Sequence, residues 1–173
     1  MSISFKMRAE AGRALAVLLG LLGLWSCGPY SFSGNSLPPH IKTIAVPLFE
    51  DRTSEFGIKE KLTDAVIAEI TRDNTLKIAS EDKADAIVYG KILSVQDRAD
   101  TYNEQEEVQA YRVYITVEVE VRDVKYNKPL WKERWSQWGL YSLNEGLDAR
   151  QTGIEEAIQK LAEDILNKTI SNW

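Results

Sequence analysis

The sequence predicts an α+β domain: a two-layer sandwich with two helices packed on one face of a four-stranded, mostly antiparallel sheet. Three patterns predict it. Val113, Ile115, Val117, Val119 and Val121 alternate with Tyr114, Thr116, Glu118, Glu120 and Arg122, and period two with one apolar and one polar face means a sheet covered on one side only. Strand-like runs follow one another from Asp85 to Ser142 with only short polar turns between them, which suits hairpin connections. Amphipathic stretches lie on either side of that block, and each needs an apolar surface to lie on.

The first residues stand outside this domain. Lys6, Arg8 and Arg13 give a positive start, and Ala14 to Trp25 is an apolar run of 12 residues, short of the roughly 20 that cross a hydrocarbon core. That is the pattern of a secretory signal peptide. It ends in "LWSC", where Leu24, Ser26 and Cys27 stand as in a lipobox, with Trp25 bulkier than the usual occupant of its position. Cys27 is the only cysteine, so no intramolecular disulfide forms, and lipidation gives an exported lone thiol its purpose. Stable anchoring takes more than one acyl chain, a condition that a mature bacterial lipoprotein meets. Residue 28 is Gly rather than Asp, which by analogy with enteric-type sorting favours the periplasmic face of the outer membrane.

The expected organisation is therefore a signal peptide at 1–26, a tether at 27–40 and a domain at 41–173. Removing residues 1–26, with three cations and one carboxylate, leaves 147 of 173 residues and moves the net charge from −5 to −7. One ordinary domain fits that length. The tether, "GPYSFSGNSLPPH", is rich in Gly, Pro and Ser, and Pro38–Pro39 bars a helix. It reads as extended chain, partly packed through Tyr30, Phe32 and Leu37, or as a disordered linker in its first half.

"IKTIAVPLF" predicts a strand over Ile41–Phe49, with Pro47 at an edge or an end because it donates no ladder bond. A helix follows over Ser54–Arg72: Ile58, Leu62, Ala65, Val66 and Ile70 recur at three- and four-residue spacing, Thr53 or Ser54 serves as N-cap, and Asp73–Asn74 ends the run. "TLKIAS" is open between short strand and loop. A longer strand spans Asp85–Arg98, with Gly90 a bulge or a close approach. "YNEQEE" turns the chain into the alternating strand, "KYNKP" turns it again, and "LWKERWSQWGLYS" returns. The last helix covers Gln151–Ile170, with Ile154, Ile158, Leu161, Ile165 and either Leu166 or Thr169 on one stripe. The first strand reaches the sheet by a helical crossover, which allows one parallel pairing.

An acidic balance argues against nucleic acid as a partner. The single histidine, His40, lies beside two prolines, and there is no Gly-rich phosphate loop and no His/Asp/Glu metal spacing. No enzyme activity, cofactor or metal is expected. Glu104, Glu106 and Glu107 fall in a polar turn and read as solvated.

With that order in hand, "CGPYSFSG" after the cleavage point, "LPPHIKTIAVPLFED" and "ADAIVYGKI" resemble the LptE family, lipoprotein partners of the outer-membrane lipopolysaccharide translocon. The resemblance covers nearly all of the mature chain, through loose motifs without a catalytic group. It implies two helices on a four-stranded sheet, a place as plug inside the LptD barrel, help in folding that barrel, and assistance to lipopolysaccharide on its way to the outer leaflet. Lipopolysaccharide carries phosphates, so a direct contact calls for Lys or Arg. Arg98 after the second main strand and Lys125 and Lys128 in the turn after the third are the candidates, with solvated turn charges as the alternative at each. Those turns lie at opposite ends of a meander. Trp131 and Trp135 share one strand face and Trp138 the other; the three stand either in a partner interface or in core and edge packing. Lipoproteins of the CsgG and LpoB kind, a secretion-pore subunit and a peptidoglycan-synthase activator, also begin with a "tIAVxxF" strand and a helix, and form the alternative reading. Three long consecutive strands without an intervening helix suit LptE better.

Overall fold

The computed structural model describes residues 37–171 apart from 143, 145 and 147. The chain divides into two units, Met1–Gly34 and Asn35–Trp173, and every described residue belongs to the second. The expected signal peptide, Cys27, Tyr30 and Phe32 lie outside the described residues. Leu37, at the end of the expected tether, packs against the core.

In chain order the elements are β1 (Thr43–Ala45), β2 (Glu50–Asp51), α1 (Ile58–Asp73), β3 (Lys77–Ile78), β4 (Ala86–Tyr102), β5 (Val108–Asp123), β6 (Lys128–Ser142) and α2 (Ala149–Ser171). The sheet order is β3-β1-β4-β5-β6, with β2 also on β4. Val113, Ile115, Val117, Val119 and Val121 of β5 are each fully buried, while the residues between them are partly open. The alternation therefore does what the sequence predicts. Both helices cover that one face: Ile58, Leu62, Val66 and Ile70 of α1 join Ile154, Ile158, Leu161 and Ile165 of α2 in a single core. Leu166 and Thr169 are both buried.

The sheet departs from expectation in its number and direction of strands. It has six strands and is mixed, not four and mostly antiparallel. β4–β5 and β5–β6 are antiparallel, whereas β1 and β2 both run parallel to β4 and β3 runs parallel to β1. The expected strand over 41–49 is broken around Pro47, which has no N–H to give a ladder. β1 pairs with Ala86 and Ile87, and β2 resumes the same edge at Lys91 and Ile92. "TLKIAS" is a strand: the Lys77 and Ala79 N–H groups donate to the carbonyls of Lys42 and Ile44, each at 3.0 Å.

Other boundaries shift for local reasons. Helix α1 starts at Ile58 behind Gly57, whose φ of 74° is left-handed, and neither Thr53 nor Ser54 caps it. Its C-terminal end stands as expected, with Asn74 left-handed and its N–H on the Ile70 carbonyl. Gly90 is a close approach and not a bulge. A Cβ there would fall 2.2 Å from the ring of the buried Phe49, and the register slips further on, between Ile92 and Ser94. Arg98 lies inside β4, opposite Arg112, rather than after the strand.

Two carboxylates secure the ends of short elements. Asp85 Oδ2 accepts the N–H groups of Lys42 and Thr43, both at 2.9 Å, and the Thr43 hydroxyl at 2.8 Å. These bonds, the Lys42 N–H foremost, hold its carboxyl below the usual range. Asp123, 1% exposed, accepts His40 Nε2 at 2.8 Å and the Tyr126 N–H at 3.1 Å. Burial works to raise its pKa, and those donors outweigh it, so the net shift is downward. A carboxyl with a depressed folded pKa contributes stability present above the unfolded value, about 4, and lost as pH falls through the folded one. Unfolding monitored by circular dichroism should therefore show flat stability above about pH 5 and a decline below about pH 4. Asp85→Asn should lower stability at pH 7 and flatten that acid limb.

Helix α2 comes closest to the sheet where two glycines meet. A Cβ on Gly139 of β6 would stand 1.8 Å from the backbone oxygen of Gly153, while one on Gly153 would meet the Val113 side chain at 3.2 Å. Backbone cannot yield as a side-chain tip does. Gly139→Ala should cost about 3 kcal/mol through overpacking. Gly153→Ala should cost less, because Ala is about 1 kcal/mol better than Gly within a helix. Denaturant midpoints of the two variants check the order.

Candidate interaction surface

The face of the sheet turned away from the helices is a carpet of side chains in register. Across β4, β5 and β6 its rows run Tyr89, Glu120, Lys132; Lys91, Glu118, Arg134; Ser94, Thr116, Ser136; Gln96, Tyr114, Trp138; and Arg98, Arg112, Leu140. The first rows neutralise themselves. Lys132 Nζ reaches Glu118 at 3.2 Å and Glu120 at 3.6 Å, Arg134 reaches Glu118 at 3.7 Å, and Lys91 reaches Glu50 at 3.0 Å. The Lys132 hydrogen bond holds the Glu118 carboxyl below its ordinary value, and Glu118 in turn raises Lys132. Thr116 and Ser136 hydroxyls bond across the strands at 3.1 Å.

Toward the other end the face turns cationic and aromatic. Arg98 lies 4.9 Å over the Tyr114 ring, and Arg112 and Lys160 lie 4.2 and 4.1 Å from the Trp138 ring. Arg112 is paired with Asp100 at 2.7 Å and Lys160 with Glu156 at 2.7 Å. Among the described residues Arg98 has no carboxylate partner, only the Gln96 side chain at 3.3 Å. Lys125 and Lys128 stand over the Tyr126 ring, at 5.3 and 5.7 Å. Lys128 opens β6 opposite Asp123, while Lys125 is in the turn before it. The register puts Arg98 beside Arg112 and Lys128 beside Asp123, about 35 Å apart along β5. The three candidate cations do not converge.

The tryptophans divide in the same way. Trp131 is 7% exposed and Trp135 packs on the core beside it, ring centroids 5.2 Å apart. Of the described tryptophans only Trp138 faces outward, and it carries its two cations.

The strand that ends the sheet is clasped by α2, which sequence reasoning missed. Four side chains at four-residue spacing reach β6 in turn. Glu156 accepts the Leu140 N–H at 3.0 Å, Lys160 donates to the Trp138 carbonyl at 3.0 Å, Asp164 accepts from Gln137 at 2.6 Å, and Lys168 pairs with Glu133 at 2.7 Å. The i, i+4 run E, K, D, K was visible in the chain, but only the antiparallel course of α2 along β6 gives it a target. The first two contacts occupy main-chain groups that an edge strand otherwise offers to another strand. Lys160, then the Leu140 N–H, hold the Glu156 carboxyl below its usual value.

At the end where β5 begins, Glu55, Arg150, Asp97 and Tyr141 form one network. The Glu55 carboxylate takes both Arg150 terminal nitrogens at 2.9 Å, Arg150 Nε reaches Asp97 at 3.1 Å, and the Tyr141 hydroxyl donates to Asp97 at 3.0 Å. Burial, then Asp97, pushes the Tyr141 hydroxyl up to about 12. Glu55 raises the already high pKa of Arg150.

Among the described residues no three His, Cys, Asp or Glu side chains gather to hold a metal, and no helix is long and apolar enough to cross a membrane. A hollow of about 360 Å³ on the outer face is walled by Glu50, Tyr89, Lys91, Glu118, Glu120 and Lys132, a charged lining unlike that of an apolar ligand pocket. A rigid body with one broad, wet sheet face is the build of an interaction domain.

The family model for LptE, lipopolysaccharide-assembly, matches residues 41–169, and the chain belongs to that family. No curated protein matches at a significant level. Solved structures with this fold include a protein from Xanthomonas campestris (9% identity, TM-score 0.56, covering 76% of this chain and 88% of that one). A hypothetical protein from Chlamydia trachomatis is similar at 13% identity and TM-score 0.55, over 74% of this chain and 95% of its own. A PelC dodecamer from Paraburkholderia phytofirmans gives 15% identity and TM-score 0.54, over 82% and 95%. At such identities the likeness is one of fold.

The clasp is testable by itself. Glu156→Ala should cost about 1 kcal/mol, the worth of one partly solvated hydrogen bond. It should speed hydrogen exchange at the Leu140 amide while leaving that of Val117 unchanged. Equal protection of Leu140 in both proteins would show that the carboxylate is not its acceptor.

Proposed function

We propose that this protein is an outer-membrane lipoprotein, held at the periplasmic face through lipidated Cys27, whose domain plugs an LptD-type β-barrel. It helps that barrel assemble and assists lipopolysaccharide toward the outer leaflet, with no reaction catalysed. Membership of the lipopolysaccharide-assembly family supports the reading, and one structural observation carries it: the exposed sheet face is mostly polar and charged, with Tyr89, Tyr114, Trp138 and Leu140 as its aromatic and apolar members. A barrel lumen is polar and wet, so a plug must keep its own face polar where it meets the wall. A body whose apolar side chains are drawn to the opposite face suits that place.

Within this reading Arg98 is the best placed of the three candidate lipid contacts, because no carboxylate among the described residues pairs with it and it lies over the Tyr114 ring. Lys125 and Lys128 would act separately, at the far end. Trp138 is the tryptophan available to the barrel wall. The signal peptide would be cut after Ser26, leaving Cys27 to carry the acyl chains.

The alternative, a ring-forming secretion-pore subunit or an activator of peptidoglycan synthesis, draws on the fold shared with the dodecameric PelC. Pull-down of the tagged protein from detergent-solubilised outer membrane separates the readings. One large heat-modifiable barrel in the eluate supports the plug; a ring of self-copies or a synthase supports the alternative. Cys27→Ala should move the protein from the membrane to the soluble periplasmic fraction with its cooperative thermal unfolding intact. Persistence of that variant in the membrane would remove the lipid anchor from the reading.

A further inference from the structure

Phe56 is fully exposed, the most open large apolar side chain of the described residues. It stands in the loop between β2 and α1, and that loop is tied on both sides of it. Asp51 Oδ1 accepts the Thr53 N–H at 2.7 Å and its hydroxyl at 2.8 Å, and the Thr53 hydroxyl oxygen accepts the Glu55 N–H at 3.2 Å. Glu55 is then locked two-fold onto Arg150, which Asp97 fixes in turn. On the other side Gly57 takes the left-handed turn, φ 74°, that starts the helix. The ring is thus presented outward by a frame spanning β2, β4, α1 and α2. Flexible loops can fold an apolar ring back onto their own surface; this one is held away from it.

Burying such a ring is favourable relative to leaving it in water, and a pre-ordered loop loses little freedom on binding. Those are the properties of an interface anchor. The surroundings select the occupant. Asp51, Glu55 and Glu60 line the hollow beside Phe56, with Lys59 as the cation of that lining, and Glu60, 3.8 Å from Lys59, is 54% exposed. An anionic lipid surface repels such a rim, whereas a protein socket with an apolar floor and basic edges matches it.

We infer that Phe56 is a docking knob that seats in an apolar, basic-rimmed socket on the inner wall of the partner barrel. This rests on the plug reading and adds to it a specific point of attachment.

The experiment uses the full-length lipidated protein, tagged and co-expressed with the LptD-type barrel of the same organism, recovered from detergent-solubilised outer membrane. Phe56→Ser should lose the barrel at least tenfold faster during washing, and Phe56→Leu should retain most of it. Glu55→Ala, which leaves the ring but frees the loop, should fall between. Since the ring is fully exposed among the described residues, Phe56→Ser should melt at the wild-type temperature; a drop of several degrees would assign the ring a structural role and overturn the inference. Retention of the barrel by Phe56→Ser as by wild type would overturn the knob and leave the plug standing. A wild-type protein that brings down no barrel would overturn both. Vesicles of phosphatidylglycerol and phosphatidylethanolamine give the remaining arm: Phe56-dependent pelleting of the Cys27→Ala protein would make the ring a lipid anchor and defeat the proposal.

Discussion

Everything in this fold answers to the inner face of β5. Five β-branched side chains on the strand between β4 and β6 are completely removed from water, and at roughly 2 kcal/mol each their burial outweighs any ion pair on the surface. A strand with one such face forces its neighbours to supply the rest of the layer and forces helices to cover it. α1 and α2 do so together, and α2 comes down until backbone meets backbone at Gly139 and Gly153. The polar residues in between are then left on the other side with no choice of environment. The wet face follows from the dry one.

The exposed charges do little for stability in comparison. Lys132, Arg134, Glu118 and Lys91 are all more than a quarter open to water, and pairs of that kind contribute about 0–1 kcal/mol. Their arrangement matters more for what they discourage. Opposite charges placed in register neutralise one another across three strands, and an edge strand flanked by Lys and Arg is a poor template for another chain. Glu156 and Lys160 extend the same protection to the Leu140 and Trp138 backbone. The domain keeps a large polar surface without inviting strands to add to it.

How much of this was legible in the sequence depended on whether the signal was periodic or positional. The alternation of β5 and the stripes of both helices are periodic, and the core they imply is the core observed. The two turns of the meander were equally plain, from "YNEQEE" and "KYNKP". Pro47 marks a place where pairing ends, but a strand that stops and then resumes on the same partner needs the position of β4 to be known. β3 has two residues and no period at all. Thr53 and Ser54 look like caps because their side chains can accept from a helix N–H; Thr53 instead closes a turn on Asp51, and Gly57 begins the helix. The candidate site shows the same division. Sequence spacing puts Arg98, Lys125 and Lys128 at turns, whereas in the fold Arg98 is a strand residue opposite Arg112 and Lys128 opens β6. Phe56 carried no periodic signal, and exposure is a property of the fold alone.

The two ends of β5 give the domain a direction. At one end His40, the last residue of the expected tether, is pinned by the buried Asp123 and packed edge-on against Tyr126, ring centroids 5.3 Å apart. Any pull on the chain before His40 is therefore delivered to the sheet there. At the other end Asp97 lies opposite Val113 and holds Arg150, which holds Glu55 beside Phe56. About 30 Å of strand separates these ends. β5 pairs along its length on both sides, so bending it would break ladder bonds and open the core at once. A body of this kind transmits position rather than absorbing it. With the chain before His40 anchored and Phe56 seated, as proposed above, both ends of one stiff strand would be held and the body would keep little freedom to tilt.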